Sequence, residues 1–153
     1  MTPMGDRVVK AARGWIGTPY LHQASCRGAG ADCLGLIRGL WRELYGAEPQ
    51  PVPAYTMDWS EAAGREDLWM AARRWMVERP LAVPAIGDVI LFRMRDGAVA
   101  KHLGLQSRLG PAAAFIHAYT GHGVIESPLS EPWVRRIVAR FAFPTAAEPG
   151  KGE

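Results

Sequence analysis

The sequence predicts an α+β fold, and three observations carry that prediction. Apolar residues recur three and four apart through the first half of the chain, the spacing of amphipathic helices. In the second half they fall in short runs bounded by Gly, Pro and Asp-Gly signals, the pattern of antiparallel strands. With 153 residues, 48% hydrophobic and 22% charged, the chain has material for one domain with a real core, which excludes disordered and fibrous classes. Helices followed by a largely antiparallel sheet make an α+β arrangement. Residues 1–145 read as a single domain and 146–153 as a loose polar tail.

Taken in order, Val8, Val9, Ala12 and Trp15 predict a first helix over 6–15, ended by Gly17 and Pro19. A Gly-rich loop, 18–31, leads to Asp32. From there Leu34, Ile37, Leu40, Trp41 and Leu44 form one apolar face of a second helix, which stops at Tyr45-Gly46. The Pro-rich EPQPVPAYTM is a connector. Ser60 can cap a further helical stretch carrying Leu68, Met70, Ala71, Trp75 and Met76, so the region 55–79 reads as a helical insertion without sheet. Strands follow in GDVILFRM and VAKHLGLQS around an RDGA turn, then in AAAFIHAYT paired with HGVIESPL, and last in VRRIVARFAF.

A net charge of +3 is mild, and the arginines are scattered, so no nucleic-acid partner is predicted. No stretch approaches the roughly 20 apolar residues of a membrane span. The N-terminus lacks the apolar run of a secretory signal, so the expectation is a cytoplasmic product with no membrane insertion. Under that expectation Cys26 and Cys33 are free thiols by default.

The chemistry concentrates at Cys33, which follows Asp32 at the first turn of the second helix. Four readings stand open: core filler, half of a disulfide with Cys26, metal ligand, or nucleophile. His22, Cys26 and Cys33 have loose metal-ligand spacing, with no CxxC and no clear fourth ligand, so no cofactor is predicted. A nucleophile needs a favoured thiolate, which the positive end of a helix supports, and a base held by an orienting group. His102 shares its strand face with Ala100 and Gly104, small residues that leave space for an open cleft. His117 shares its face with Phe115 and Tyr119, and a neighbouring strand would bring it beside His102. Asp32 reads as helix cap or as a holder of a substrate amino group.

Other groups have plain explanations. Trp15, Trp41, Trp69 and Trp75 fall on apolar helical faces and read as core. Arg73, Arg74 and Arg79 read as the solvated face of the inserted helix, with an acidic partner as the alternative.

In order along the chain, GTPY, ADCLGLI, GDVILF, KHLGL and FIHA together resemble the motif set of the NlpC-type papain-like cysteine peptidases of bacterial cell walls. The likeness covers most of the chain and looks closest to the tail peptidases of phages and gene-transfer agents. It implies a papain-like fold with Cys33 as nucleophile, His102 as base and His117 as orienting group. Tyr20, matching the family's PY tyrosine, would supply an oxyanion donor or shape the groove. Leu34 stands where the family usually has serine, and the long inserted region would reshape the groove. The implied activity is hydrolysis of peptidoglycan stem peptides, at the bond between D-glutamate and a diamino acid. Without its own secretory signal, such an enzyme is expected to travel in a phage-like tail, held by tip or baseplate hub proteins, and to act in the wall of the target cell. The alternatives are a noncatalytic baseplate adaptor on the same fold and an N-acetylmuramoyl-L-alanine amidase.

Overall fold

Two helices lie against one face of a six-stranded sheet in the computed structural model, which describes residues 3–49 and 66–145. Helix α1 (Met4–Arg13) turns Val8, Val9 and Ala12 inward, and helix α2 (Cys33–Tyr45) buries Leu36, Ile37 and Leu40. Gly46 ends α2 in the left-handed conformation at φ 89°, its N–H bonding the Arg42 carbonyl. Between the helices the predicted loop folds into a small hairpin, β1 (Ser25–Cys26) with β2 (Gly30–Ala31). Helix α3 (Asp67–Trp75) buries Leu68 and Ala72.

The larger sheet consists of β3 (Val77–Arg79), β4 (Val89–Phe92), β5 (His102–Arg108), β6 (Ala114–Tyr119), β7 (Gly123–Pro128) and β8 (Ile137–Ala142). Its spatial order is β3-β8-β4-β5-β6-β7 and every pairing is antiparallel. Alternation then sorts the side chains. Val89, Leu91, Leu103, Leu105, Ile116 and Phe141 join the helices in the main core. Ile90, Phe92 and Phe115 form a second cluster on the opposite face, covered by Leu129, Trp133 and Ile137. Trp133 belongs to a short helix, α4 (Glu131–Val134).

Three expectations change. The inserted region contributes sheet after all, because Val77 to Arg79 pair with Ala142 to Arg140 as an edge strand. Arg79 is therefore on β3 and bonds Asp88 at 2.8 Å, while Arg73 pairs with Glu78 at 3.1 Å and Arg74 lies over the Trp75 ring. The β4-β5 connection also runs from 93 to 101, longer than a tight RDGA hairpin. Its two ends are tied to the start of α3: Arg93 bonds Glu66 at 3.1 Å, and the Ala100 N–H donates to the same carboxylate at 2.8 Å. The connector residues 50–57, Ser60 and the tail 146–153 lie outside the described residues.

One buried polar group stitches the sheet edge. Arg140 and Asp88, 3% and 1% exposed, meet at 3.2 Å, and Arg140 also donates to the Gln106 side-chain oxygen at 2.7 Å. Burying this ion pair costs desolvation, which the added hydrogen bonds offset.

Candidate active site

Asp32 sets the geometry of the helix start. Its Oδ1 accepts from the Gly35 N–H and its Oδ2 from the Gln23 N–H, both at 2.7 Å, so the carboxylate caps α2 and ties down the preceding loop. The loop presses close: a Cβ on Gly35 would lie 1.8 Å from the Ala24 carbonyl oxygen and 3.0 Å from Asp32 Oδ1. Only glycine permits that contact. Cys33, the next residue after the cap, is half-buried, and both Cys26 and Cys33 are free thiols. Among the described residues no group of three or more His, Cys, Asp or Glu could hold a metal ion.

The Cys33 Sγ donates to the Lys101 carbonyl at 3.6 Å, and the Leu103 backbone N–H approaches the same sulfur. The thiol is thus bracketed by the backbone on either side of His102. The helix start supports the thiolate, and burial works against it. Burial, with the Asp32 charge adding to it, pushes the thiol up to about 12, and the N–H groups of Leu103, Leu34 and Cys33 offset this only in part. Desolvation outweighs the helix terminus, and the resting sulfur is a neutral thiol. Tyr20 bridges to Ala31, and its hydroxyl bonds the Thr120 side chain. Burial raises its pKa, and the charges of Cys33 and Asp32 add to the rise, which places Tyr20 within electrostatic reach of the thiol.

His102 opens β5 and His117 lies in β6, and their side chains meet directly: His102 Nε2 and His117 Nδ1 are 2.8 Å apart. His117 Nε2 in turn lies 3.0 Å from the Ser127 hydroxyl on β7. This chain selects tautomers. If His102 is to accept a proton on Nδ1, its Nε2 carries hydrogen and donates to His117 Nδ1, so His117 must carry hydrogen on Nε2 and donate to Ser127 Oγ. Burial first, and the neighbouring His117 second, hold His102 down to about 3, while burial and then His122 hold His117 at about 4. Both rings are neutral near pH 7.

The small residues beside His102 do not leave an open cleft. A Cβ on Gly104 would meet Phe115 at 2.7 Å and Phe92 at 3.4 Å, because those rings fill the space. Trp133 closes the same face, with ring centroids 5.6 Å from His102 and 5.2 Å from His117. His117 is 0% exposed as a result. Sequence reading missed both Ser127 and Trp133. For Ser127 a signal existed: with FIHAY paired to GVIES, alternation puts Ser127 on the face of Phe115 and His117 once the register is known. Trp133 sits in a four-residue helix and had no periodic signal.

A cysteine heading a helix, set against antiparallel strands that carry two hydrogen-bonded histidines, defines a papain-like α+β protein. The architecture is that of the NlpC/P60 proteins, as the motifs led us to expect. An NlpC/P60 family protein from Bacillus cereus ATCC 10987 superposes with a TM-score of 0.60 at 19% identity, over 92% of this chain and 40% of that one. The NlpC/p60 domain of the peptidoglycan hydrolase SagA gives 0.59 at 21% identity, over 91% of this chain and 98% of the domain. In sequence, the murein DD-endopeptidase MepS/murein LD-carboxypeptidase of Escherichia coli K12 is 28% identical over 142 residues, 88% of this chain. The chain spans 64% of the length of that curated relative. No family model matches the sequence.

Proposed function

We propose that the protein is a cysteine peptidase that hydrolyses amide bonds in the stem peptides of peptidoglycan. The observation that carries this reading is the hydrogen-bonded chain from His102 through His117 to Ser127, together with the Lys101 carbonyl, next to His102, which accepts from the thiol of a cysteine at a helix start. Two relatives support the substrate class by what they are: SagA is a peptidoglycan hydrolase, and MepS is a murein endopeptidase and carboxypeptidase.

The chemistry follows from the neutral resting state. The Cys33 S–H swings from the Lys101 carbonyl to His102 Nδ1, which takes the proton as sulfur attacks the substrate carbonyl carbon. His117 and Ser127 hold the resulting imidazolium in orientation. The Cys33 backbone N–H at the helix start, with Tyr20 beside it, stabilises the oxyanion. His102 returns the proton to the leaving amine as the C–N bond breaks, leaving a thioester on Cys33. Water, deprotonated by His102, then attacks the thioester carbonyl and releases the acid and the thiol.

The bond we assign joins D-glutamate to a diamino acid, and Tyr20 is the residue we place along the stem. Asp32, read from the sequence as helix cap or substrate holder, is buried with both carboxylate oxygens taken up by the Gly35 and Gln23 N–H groups and serves as the cap. For delivery we assign carriage in a phage-like or gene-transfer-agent tail, in contact with its hub proteins, with action in the wall of the target cell. The motif likeness to tail peptidases supports that assignment, and absence of the protein from purified particles would remove it.

Digestion of purified peptidoglycan by the wild type and by Cys33→Ala, read by mass spectrometry, tests the activity and the bond together. The expected products end in D-glutamate and vanish in Cys33→Ala. Products cut at cross-links would reassign the bond to a DD-endopeptidase, and stem peptides freed from muramic acid would indicate an amidase. Cleavage surviving in Cys33→Ala would refute the nucleophile, and no cleavage by the wild type would favour the adaptor.

A further inference from the structure

The sheet face that carries the histidines continues, at the other end of β5 and β6, into a cleft of about 680 Å³. Its wall is apolar: Leu81, Leu109 and Val134 stand at the rim, 50%, 45% and 47% exposed, and Leu129 and Ile137 lie deeper against the second core cluster. Three of the larger exposed apolar side chains of the described residues thus converge on one concavity, which is unusual for a surface with no ligand. At the floor lie Gln106 and Arg140, 1% and 3% exposed.

Arg140 is the one charged residue among the described residues of the lining. Its Nε donates to the Leu81 carbonyl at 3.2 Å, and its Nη1 donates to Asp88 and Gln106. Nη2 makes no hydrogen bond among the described residues. The charges do not balance either. Asp88 is shared between Arg140 at 3.2 Å and Arg79 at 2.8 Å, so two guanidinium groups face one carboxylate. A guanidinium edge that no protein acceptor takes up, in an apolar cleft with no acid among the described residues of its lining, is complementary to a single anion carried on an apolar body.

We propose that this cleft is a binding site for an aliphatic carboxylate, whose anionic end pairs with Arg140 Nη2 and whose chain lies against Leu109, Leu129, Val134 and Ile137. The site is separate from the thiol and its histidines: Gln106 lies four positions along β5 from His102, on the same face, with Phe115 and Phe92 filling the sheet face between. The same chemistry comes from a fatty acid or from the free C-terminus of an apolar peptide. The proposal does not depend on the peptidase reading.

The test is a titration of the full-length isotope-labelled protein, followed by amide chemical shifts, with octanoate, octanol, N-acetyl-leucyl-leucine and the amide of that peptide. The expected result is saturable shifts at Leu81, Leu109 and Val134 with at least one acid, and affinity at least about tenfold weaker for its neutral counterpart. Saturation by octanoate alone identifies a lipid-type ligand, and saturation by the peptide acid alone identifies a polypeptide C-terminus. Val134→Asp and Leu109→Asp, both at exposed positions that leave the core intact, are expected to abolish binding by placing a competing charge at the rim. Failure of both acids to saturate by about 10 mM, where affinity falls to only a few kcal/mol, overturns the proposal. So does equal binding of acid and neutral counterpart, or full binding by both rim variants.

Discussion

In the Cys26→Ser variant Cys33 is the sole thiol, and its alkylation by iodoacetamide reports the thiolate directly. With burial pushing the Cys33 thiol up to about 12, the thiolate fraction at about pH 7.5 is roughly 3 in 100,000. An unperturbed cysteine, with a pKa of about 8.5, is roughly one-tenth ionised at that pH, so the Cys33 thiolate is about three thousandfold scarcer, and even with the higher nucleophilicity of a more basic thiolate Cys33 should react at least about tenfold more slowly. Restricted access to a half-buried sulfur slows the reaction further but does not alter its pH dependence, so the slope is the decisive readout. The rate is expected to rise about tenfold per pH unit from pH 6 to 10 without levelling. Substituting His102→Ala should leave that slope unchanged, because an imidazole held down to about 3 carries no charge with which to stabilise a thiolate at rest. A plateau below about pH 7, lost in His102→Ala, would refute the reasoning, since it would mean a thiolate and imidazolium already paired in the free protein. The profile therefore separates proton transfer during attack from a preformed ion pair.

Three further outcomes are expected. Ser127→Ala leaves His117 Nε2 buried without its 3.0 Å partner, and the stability loss in urea titration should be about 1–3 kcal/mol. If Ser127 acts by setting the tautomer, kcat on a stem-peptide substrate falls about tenfold with KM unchanged, and Ser127→Thr restores it. Acid should unfold the protein early. Both histidines stay neutral in the folded state well below the 6.5 of a free imidazole, so the unfolded chain binds the extra protons, and stability present at pH 7 is lost as pH falls toward 4. The slope is up to about 1.4 kcal/mol per pH unit for each ring, and a urea midpoint independent of pH between 7 and 4 would contradict it. Gly35→Ala drives a Cβ into the Ala24 carbonyl at 1.8 Å and crowds the Asp32 cap. It should cost more than about 2 kcal/mol in thermal or urea unfolding, and a neutral result would show that the loop 18–31 does not press on the helix start.

Much of the candidate site was legible because its parts are written locally. Asp32 precedes an apolar stripe with the signature of a cap, so Cys33 had to fall in the first helical turn. His102 and His117 sit in runs whose composition and length mark strands, and the motif order alone suggested that they belong together. Ser127 depended on the register of a hairpin, which the turn at Thr120 to His122 sets and composition does not reveal. The edge strand β3 was hidden because three residues following a helix carry too little alternation to outweigh the helical pattern before them.

By itself, the sequence determined the α+β class, the two principal helices, five of the six strands of the main sheet, and the thiol and imidazoles as candidates, since propensity, capping and periodicity act between near neighbours. Only the tertiary structure decided what state those groups are in. Phe92, Phe115 and Trp133 arrive from three separate segments to bury the two rings, and β5 covers the thiol from a segment nearly seventy residues away. Desolvation is a property of that assembled surface. It keeps the Cys33 sulfur a neutral thiol despite its place at a helix start, and the same assembly filled the expected cleft with aromatic rings.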